Sequence, residues 1–434
     1  MRPFRFIHSA DWHLDAPFRG LSGLPPALFA RIRDSSFRAL DALVDLAIRE
    51  GVDFVLASGD LFDAADRSLR AQLKFQQAAE RLAACGIPLI AVHGNHDPLS
   101  GYRASLALPE TVRIFGGDRV ETFVVTGRDG EPLAAVSGIS YARAAVTDNL
   151  AAAFPKPDGS LFAIAMLHTN VDGDAAHDNY APSTLAQLSR SGYDYWALGH
   201  VHTRKVLSEN PWIVYPGNLQ GLSIRETGAK GALLVDVDAD GRARPTFRPL
   251  HAVRWERVRV SIDGLRDEQE LKDAVERALL AEAEREPGVP VVARLVLEGR
   301  GPLHRPLAEG TMPAELAEAL RERFASPGGA DGLAADDAFV WIESVRVRTG
   351  MEWDLEALRR QESLIGDLVR LSEELLGDEA AMRAFLEEAA EPLFAGPRTA
   401  RRLAGLDRDE LAGLIAQARE LALAELLDGE DGAP

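Results

Sequence analysis

Four polar side chains crowd into the stretch "HGNHDP", where His93, Asn95, His96 and Asp97 follow an apolar run. Each of these groups binds a metal, moves a proton or makes hydrogen bonds, and one turn alone does not say which. Four other clusters share this character: "DWH" with Asp11 and His13, "GDLFD" with Asp60 and Asp63, "LHTN" with His168, and "GHVH" with His200 and His202. Seven residues among them offer hard or borderline ligand atoms: Asp11, His13, Asp60, Asn95, His168, His200 and His202. Imidazole mixed with carboxylate and amide oxygen, without thiolate, suits Mn²⁺, Fe²⁺ or Zn²⁺. A single Asp-x-His is weak evidence, and a lone histidine at a strand end is more often a hydrogen-bonded structural residue. Five such clusters in a fixed order are far more specific.

The elements that must position these groups show in the hydropathy. Each cluster closes an apolar run: "FRFIHSA", "DFVLASGD", "PLIAVHGNHD", "LFAIAMLH" and "YDYWALGHVH". Runs of this length read as buried strands, and helical periods over 27–50 and 68–84 separate the first three. Alternating strands and helices predict an α/β fold with a mostly parallel core. The short β-type runs "VRIF", "VETFVV" and "LAAVSGI", with "WIVYPGN" and "GALLVDV" further on, predict a mixed or second sheet. Ligands gather at the carboxyl ends of strands in open α/β sheets, so the clusters are expected to converge despite their separation.

From Trp255 to Arg348 the pattern changes to strand 254–262, helix 266–284, strand 290–298, helix 313–325 and strand 338–347. From Asp354 onward the chain reads as helical. Leu355, Leu358, Ile365, Leu368 and Leu375 form one apolar stripe; Leu411, Leu414, Ile415, Ala418 and Leu421 form another. The expected divisions are 1–253, 254–350 and 351–434, the last ending in a structureless "DGEDGAP".

The 434 residues suit roughly two or three domains. No apolar run approaches the ~18 residues of a membrane-spanning helix. Arg5, His8 and Asp11 interrupt the first residues too early for a signal-peptide core. The single cysteine, Cys85, excludes an internal disulfide framework and fits a reducing, cytoplasmic setting; closing the run "RLAAC", it is expected to be a small buried hydrophobe. The net charge is −19, and residues 351–434 alone hold 20 acidic and 9 basic residues. Such a balance argues against strong unaided DNA affinity, which needs a basic face, and leaves room for a local groove or a partner.

The ordered series D-x-H, G-D-x-x-D, G-N-H-D, isolated His, G-H-x-H resembles the calcineurin-like metallophosphoesterases over residues 1 to about 250. "FIHSADWHLD", "ASGDLFD", "YDYWALGHVH" and "YPGNLQG" are similar to the SbcD-type DNA repair exonucleases, and among these to the YhaO-like branch. The resemblance implies a sandwich of two mixed sheets flanked by helices, a small α/β capping domain and a helical C-terminal segment. It implies two divalent metal ions, with Mn²⁺ expected and Fe²⁺, Zn²⁺ or Mg²⁺ as alternatives. Asp11, His13, Asp60 and His202 would hold the first ion; Asp60, Asn95, His168 and His200 would hold the second. A shared carboxylate, Asp60, makes physical sense between two cations that repel. His96 would be no ligand but would protonate the leaving oxygen or stabilise the charged phosphorane. Asp97 would orient its ring, and Asp63 would orient His96 or a ligand.

Carried further, the resemblance implies 3′→5′ exonuclease and single-strand endonuclease action on DNA, an SMC-like coiled-coil ATPase docking near the C-terminal helices, and a homodimer. Two other readings compete: a phosphodiesterase for a small substrate such as a cyclic nucleotide, and a non-enzymatic scaffold with a vestigial site. The remaining residues get plainer expectations. His8 packs inside the first strand, His93 serves the turn, and Gly217 and Asn218 shape a tight turn. Trp12 belongs to the core rather than stacking on a base, Phe18 flanks the first motif, and His177 and Tyr180 are candidates to touch substrate. His251 and His304 lie outside the signature.

Overall fold

The computed structural model describes residues 1–18, 21, 23–63, 68–102, 104–173, 178–324, 338–389 and 406–430. The chain forms two compact units. The larger comprises Met1–Val258, Arg277–Leu295 and Ala317–Ser344; the smaller comprises Arg259–Glu276, Val296–Leu316 and Val345–Pro434.

The larger unit begins β1 (Phe4–Ser9), α1 (Pro26–Arg33), α2 (Ser35–Glu50), β2 (Phe54–Ser58), α3 (Leu69–Ala84), β3 (Leu89–Val92) and β4 (Val112–Ile114). It continues β5 (Glu121–Thr126), β6 (Pro132–Gly138), β7 (Phe162–His168), α4 (Leu185–Ser189), β8 (Tyr195–Gly199), β9 (Lys205–Glu209), β10 (Trp212–Tyr215), β11 (Gly231–Val237) and β12 (Ala243–Pro249). One sheet runs β12-β11-β1-β2-β3-β4 and the other β5-β6-β7-β8-β10-β9. Both are mixed: β1 to β4 pair in parallel while β11 meets β1 antiparallel, and β6, β7, β8 and β10 are parallel between antiparallel edges.

Alternation along the strands builds the layers, because successive side chains point to opposite faces. Phe4, Phe6, Phe54, Leu56, Ile90 and Val92 meet Phe162, Ile164, Met166 and Tyr195 between the two sheets. The interleaved Ile7, Val55, Ala57, Leu89 and Ala91 face the other way, onto α2 and α3. Helix α2 supplies Phe37, Leu40, Leu43, Val44 and Ala47 at helical spacing and stops at Gly51, whose φ of 61° suits a residue without Cβ. Each fully buried leucine here contributes about 1.5–3 kcal/mol.

The helix expected over 27–50 is interrupted at Asp34, between α1 and α2. Ser68 caps α3, its hydroxyl accepting from the Ala71 amide. Cys85 is exposed, against expectation. Gly86 reverses the chain after α3 with its amide on the Ala83 carbonyl, and Ile87 folds back with its amide on Leu82. Ile87 thereby takes the buried position that the helical stripe would have given Cys85.

A third sheet has the order β13 (Arg254–Ser261), β14 (Val291–Arg300) and β15 (Val340–Gly350), with α5 (Glu268–Glu284), α6 (His304–Glu309) and α7 (Met312–Phe324) along the chain. In the smaller unit, α8 (Leu355–Arg359), α9 (Leu364–Gly377), α10 (Glu379–Ala389) and α11 (Arg408–Glu430) pack on one another. Ile365, Val369 and Leu423 centre one apolar cluster, and Met382, Leu411 and Ile415 another. Leu414 and Leu421, expected in the stripe, instead lie outside, 40% and 70% exposed. The buried line on α11 passes through Leu411, Ile415 and Leu423, about a third of a turn away from Leu421.

Candidate metal centre

Strand ends deliver every cluster to one place. Asp11 follows β1, Asp60 follows β2, Asn95 and His96 follow β3, His168 ends β7, and His200 and His202 follow β8. The turn is sharp at most of them. Asp11, His13, Asp60 and His200 have φ values of 51°, 42°, 49° and 105°, so four of the seven described non-glycine residues with positive φ belong to the candidate set. Such backbone is disfavoured and persists where surrounding structure imposes it. Hydrogen bonds impose it here: the Asp11 amide donates to Gly59, the His13 amide to Asp60, and the His200 amide to the Asp11 carboxylate at 3.0 Å. The glycines of "GD" and "GN" are needed for close approach. A Cβ on Gly59 would collide with the His168 ring, and one on Gly94 with Asp60 and His168.

Ligand-type atoms converge in three overlapping groups, each within 4.8 Å: Asp11, His13 and His202; His13, Asp60 and His96; and Asp11, Asp60 and His168. Asp11, His13 and Asp60 each lie in two of them, and Asp60 joins the two that hold His96 and His168. Its carboxylate accepts from the His96 amide at 2.9 Å and stands 3.3 Å from His168 Nε2. Burial would raise the Asp60 carboxyl, but the imidazoles of His168, His13 and His96 hold it well below the usual carboxylate range. His168 shows the reverse. Burial lowers it, yet Asp60 and Asp11 win and push it up to about 9.

Proton bookkeeping on the rings shows whether the donor set fits a cation. His168 Nδ1 donates to the Ser58 carbonyl at 3.1 Å, so its Nε2 faces the oxygens of Asn95, at 3.1 Å, and Asp60. His13 Nδ1 faces Asp63 Oδ1 at 3.1 Å, and His202 Nδ1 faces Glu226 Oε1 at 2.7 Å. Each Nδ1 is thus a donor, and the two Nε2 atoms stand 3.0 Å apart, a separation that needs a shared proton or a cation between them. Lone pairs and carboxylates converging in a buried space make a donor set that suits divalent cations. His200 stands beside the group, its ring 5.1 Å from that of His168 and its Nε2 on the Asp178 carbonyl at 2.8 Å.

The expectation for Asp97 changes at this level. Asp97 does not address the His96 ring through the bonds described. Its carboxylate accepts from His93 Nδ1 at 2.8 Å and from the Leu61 and Gly94 amides, tying the turn together. The His96 ring is held by Asp63, as expected of that residue: its backbone carbonyl accepts from Nδ1 at 2.8 Å, and its Oδ1 stands 3.8 Å from the same nitrogen. The Asp63 side chain serves His13. His96 is also close enough to His13 and Asp60 to fall in a ligand group, but its side chain is 43% exposed. Trp12 is buried with its indole on Ser9, and His8 is buried between Tyr195 and Leu198. Phe18 packs partly buried against a cluster holding Leu28 and Trp255. Tyr180 lies edge-on to His200 at 6.1 Å, and His177 lies outside the described residues. Glu226 was missed, since no motif or period marks a lone glutamate in "SIRETG".

Two sheets bringing carboxylates and imidazoles together at their strand ends define a class, and the comparisons name it. Residues 4–204 match the profile of the calcineurin-like phosphoesterases, and residues 255–350 match that of the metallophosphoesterase YhaO middle domain. The metallophosphoesterase YhaO of Bacillus subtilis (strain 168) is 42% identical over 340 residues, covering 77% of this chain and 79% of that one. The chain belongs to the YhaO family of calcineurin-like metallophosphoesterases and is a metal-dependent phosphoester hydrolase. The DNA double-strand break repair protein Mre11 of Aeropyrum pernix is 26% identical over 352 residues, 76% of this chain and 79% of its own. Mre11 of Saccharolobus solfataricus is 28% identical over 213 residues, 46% of this chain and 53% of its own. Among the described residues no helix is long and apolar enough to cross a membrane.

Proposed function

We propose that the chain is a dinuclear phosphodiesterase that cleaves DNA, as a 3′→5′ exonuclease and single-strand endonuclease. The observation that carries this is the position of Asp60, whose buried carboxylate lies within ligand reach both of His13 and His96 and of Asp11 and His168. Asp11, His13, Asp60 and His202 would hold one divalent ion, and Asp60, Asn95, His168 and His200 the other, with Mn²⁺ proposed for both. Such ions supply Lewis-acid polarisation of the phosphoryl group and a more acidic water. The chain's own residues do the rest. Asp63 holds the His13 ring at Nδ1. His96, with Nδ1 committed to the Asp63 carbonyl, keeps Nε2 as its proton-exchanging atom, and there it protonates the departing sugar oxygen. Its exposure beside buried ligand atoms suits a group that meets substrate.

DNA as substrate draws support from the Aeropyrum pernix relative, named for double-strand break repair, whose 352 matched residues exceed the phosphoesterase portion. The YhaO relative's name specifies no substrate. The proposed organisation is a nuclease domain over 1–253, an α/β cap over 254–350 and a docking segment over 351–434, working as a homodimer in the cytoplasm. The docking segment would receive an SMC-like coiled-coil ATPase. Its helices leave Leu364, Leu371, Phe385, Leu414 and Leu421 exposed, and its net negative charge disfavours DNA. A test is cleavage of end-labelled single- and double-stranded DNA with Mn²⁺ or Mg²⁺, beside a bis-aryl phosphodiester and with metal analysis. Shortened DNA products support the proposal. Hydrolysis of the aryl diester alone moves the chain to a small-substrate phosphodiesterase, and a chain that takes up no metal is a scaffold.

A further inference from the structure

Glu226 lies in none of the five motifs, yet three hydrogen-bond donors meet its side chain. Oε1 accepts from His202 Nδ1 at 2.7 Å, and Oε2 accepts from Asn218 Nδ2 and from the Leu222 amide, both at 2.8 Å. The orientation of Asn218 is itself determined, because Nδ2 also donates to the Gln220 carbonyl at 2.8 Å. Turning that amide over would set an oxygen against two acceptors. The Leu222 and Asn218 donors therefore orient the carboxylate independently of the imidazole, and the remaining oxygen takes the Nδ1 proton. Next to it, the His202 carbonyl accepts from Lys230 Nζ at 3.0 Å and from the Asn218 amide at 3.2 Å. Ring and backbone of His202 are thus both held from the segment 218–230.

We infer that Glu226 is a positioning residue for metal binding, fixing His202 as the Nδ1–H tautomer and aiming Nε2 into the space shared with Asp11 and His13. This rests on the reading of that cluster as a metal centre. A carboxylate hydrogen-bonded behind a ligating imidazole fixes tautomer and ring plane and makes the ligand nitrogen more basic. Only an acceptor at both ends satisfies the three donors. Glutamine cannot, because its NH₂ must face either His202 Nδ1–H or the Leu222 and Asn218 donors. The same logic holds His13 through Asp63, so the two rings whose Nε2 atoms stand 3.0 Å apart are each backed by a carboxylate.

The test uses the full chain, with Mn²⁺ as the probe. Titration calorimetry and bound-metal analysis should give two Mn²⁺ per wild-type chain. In Glu226→Gln, one of the two affinities should fall by about 10–100-fold while the other stays unchanged. Turnover in that variant should recover as Mn²⁺ is raised, which a general folding defect would not produce. Side-chain ¹⁵N spectra of the metal-stripped wild type, assigned by difference with His202→Gln, should show a proton on His202 Nδ1, whether or not Nε2 shares one with His13. A wild-type His202 carrying its only proton on Nε2 overturns the inference, and decides the matter even if Glu226→Gln does not fold. Two unchanged Mn²⁺ affinities in a folded Glu226→Gln also overturn it. A wild type that binds no Mn²⁺ overturns the metal-centre reading, and this inference with it.

Discussion

At the strand ends of the larger unit the carboxylates are inside: Asp11 and Asp60 are buried and surrounded by imidazoles. In the C-terminal helices the arrangement is inverted. Acidic residues cover the outside, and the large apolar side chains Leu364 and Leu421 stand among them, 69% and 70% exposed. Burying a charge is costly unless something compensates it, so the first arrangement marks a site that works on a cation. Exposed leucines on a folded helix cost little alone, and several together are what the proposed docking segment would offer a partner. One region is organised around polar groups held in place by sheets, the other around apolar groups held by helices, and they should respond differently to the same perturbations.

The largest expected effect lies at Asp60. Asp60→Asn removes charge from two ligand groups and should abolish turnover and reduce bound metal. A variant keeping two metals and normal turnover would erase the contrast. His96→Ala should keep its metals and lose ~10²–10⁴-fold in rate. A substrate with an activated aryl leaving group needs less protonation and should lose less. Metal content falling with activity would make His96 a ligand rather than a proton donor.

Acid should act on the sheet region through His8. Burial lowers this imidazole to about 3, despite its bond to the Leu198 carbonyl, so the folded chain keeps it neutral. In the unfolded chain it takes up a proton near its ordinary pKa of about 6.5. Stability from His8 is therefore complete above that pH and is lost as pH falls from about 6.5 towards 3, at up to about 1.4 kcal/mol per pH unit. Urea unfolding followed by tryptophan fluorescence at pH 7.5, 6 and 5 measures it. His8→Asn should be less stable at pH 7.5 and show a shallower slope, and an unchanged slope would exclude His8 as the source.

The smallest effect on catalysis is expected from deleting residues 351–434. Among the described residues, the apolar clusters around Ile365 and Met382 are made from residues 353–427, so the deletion removes these two clusters whole. Hydrolysis of a small diester should stay within about twofold, while binding to the proposed ATPase should be lost on co-purification. Aggregation or loss of metal would show that these helices support the phosphoesterase region. Retained binding would move the docking surface to residues 254–350.

Much of this arrangement is written locally. The apolar runs before Asp60, His168 and His200 are read as strands because a fully buried strand needs a continuous apolar stretch. Helix α3 begins where Ser68 can cap it. The order and types of the ligand-like residues belong to the sequence alone. Tertiary structure decided which carboxylate meets which ring. Asp97 binds His93, Glu226 reached His202 across 24 positions, and Ile87 rather than Cys85 is buried after α3. Periodicity and capping act over a few residues and fix faces and ends of elements. Pairings between strand ends depend on the direction the chain takes as it leaves each strand, through left-handed backbone at Asp11, His13, Asp60 and His200. Those φ values are imposed by hydrogen bonds between strands far apart in sequence, which no local pattern encodes.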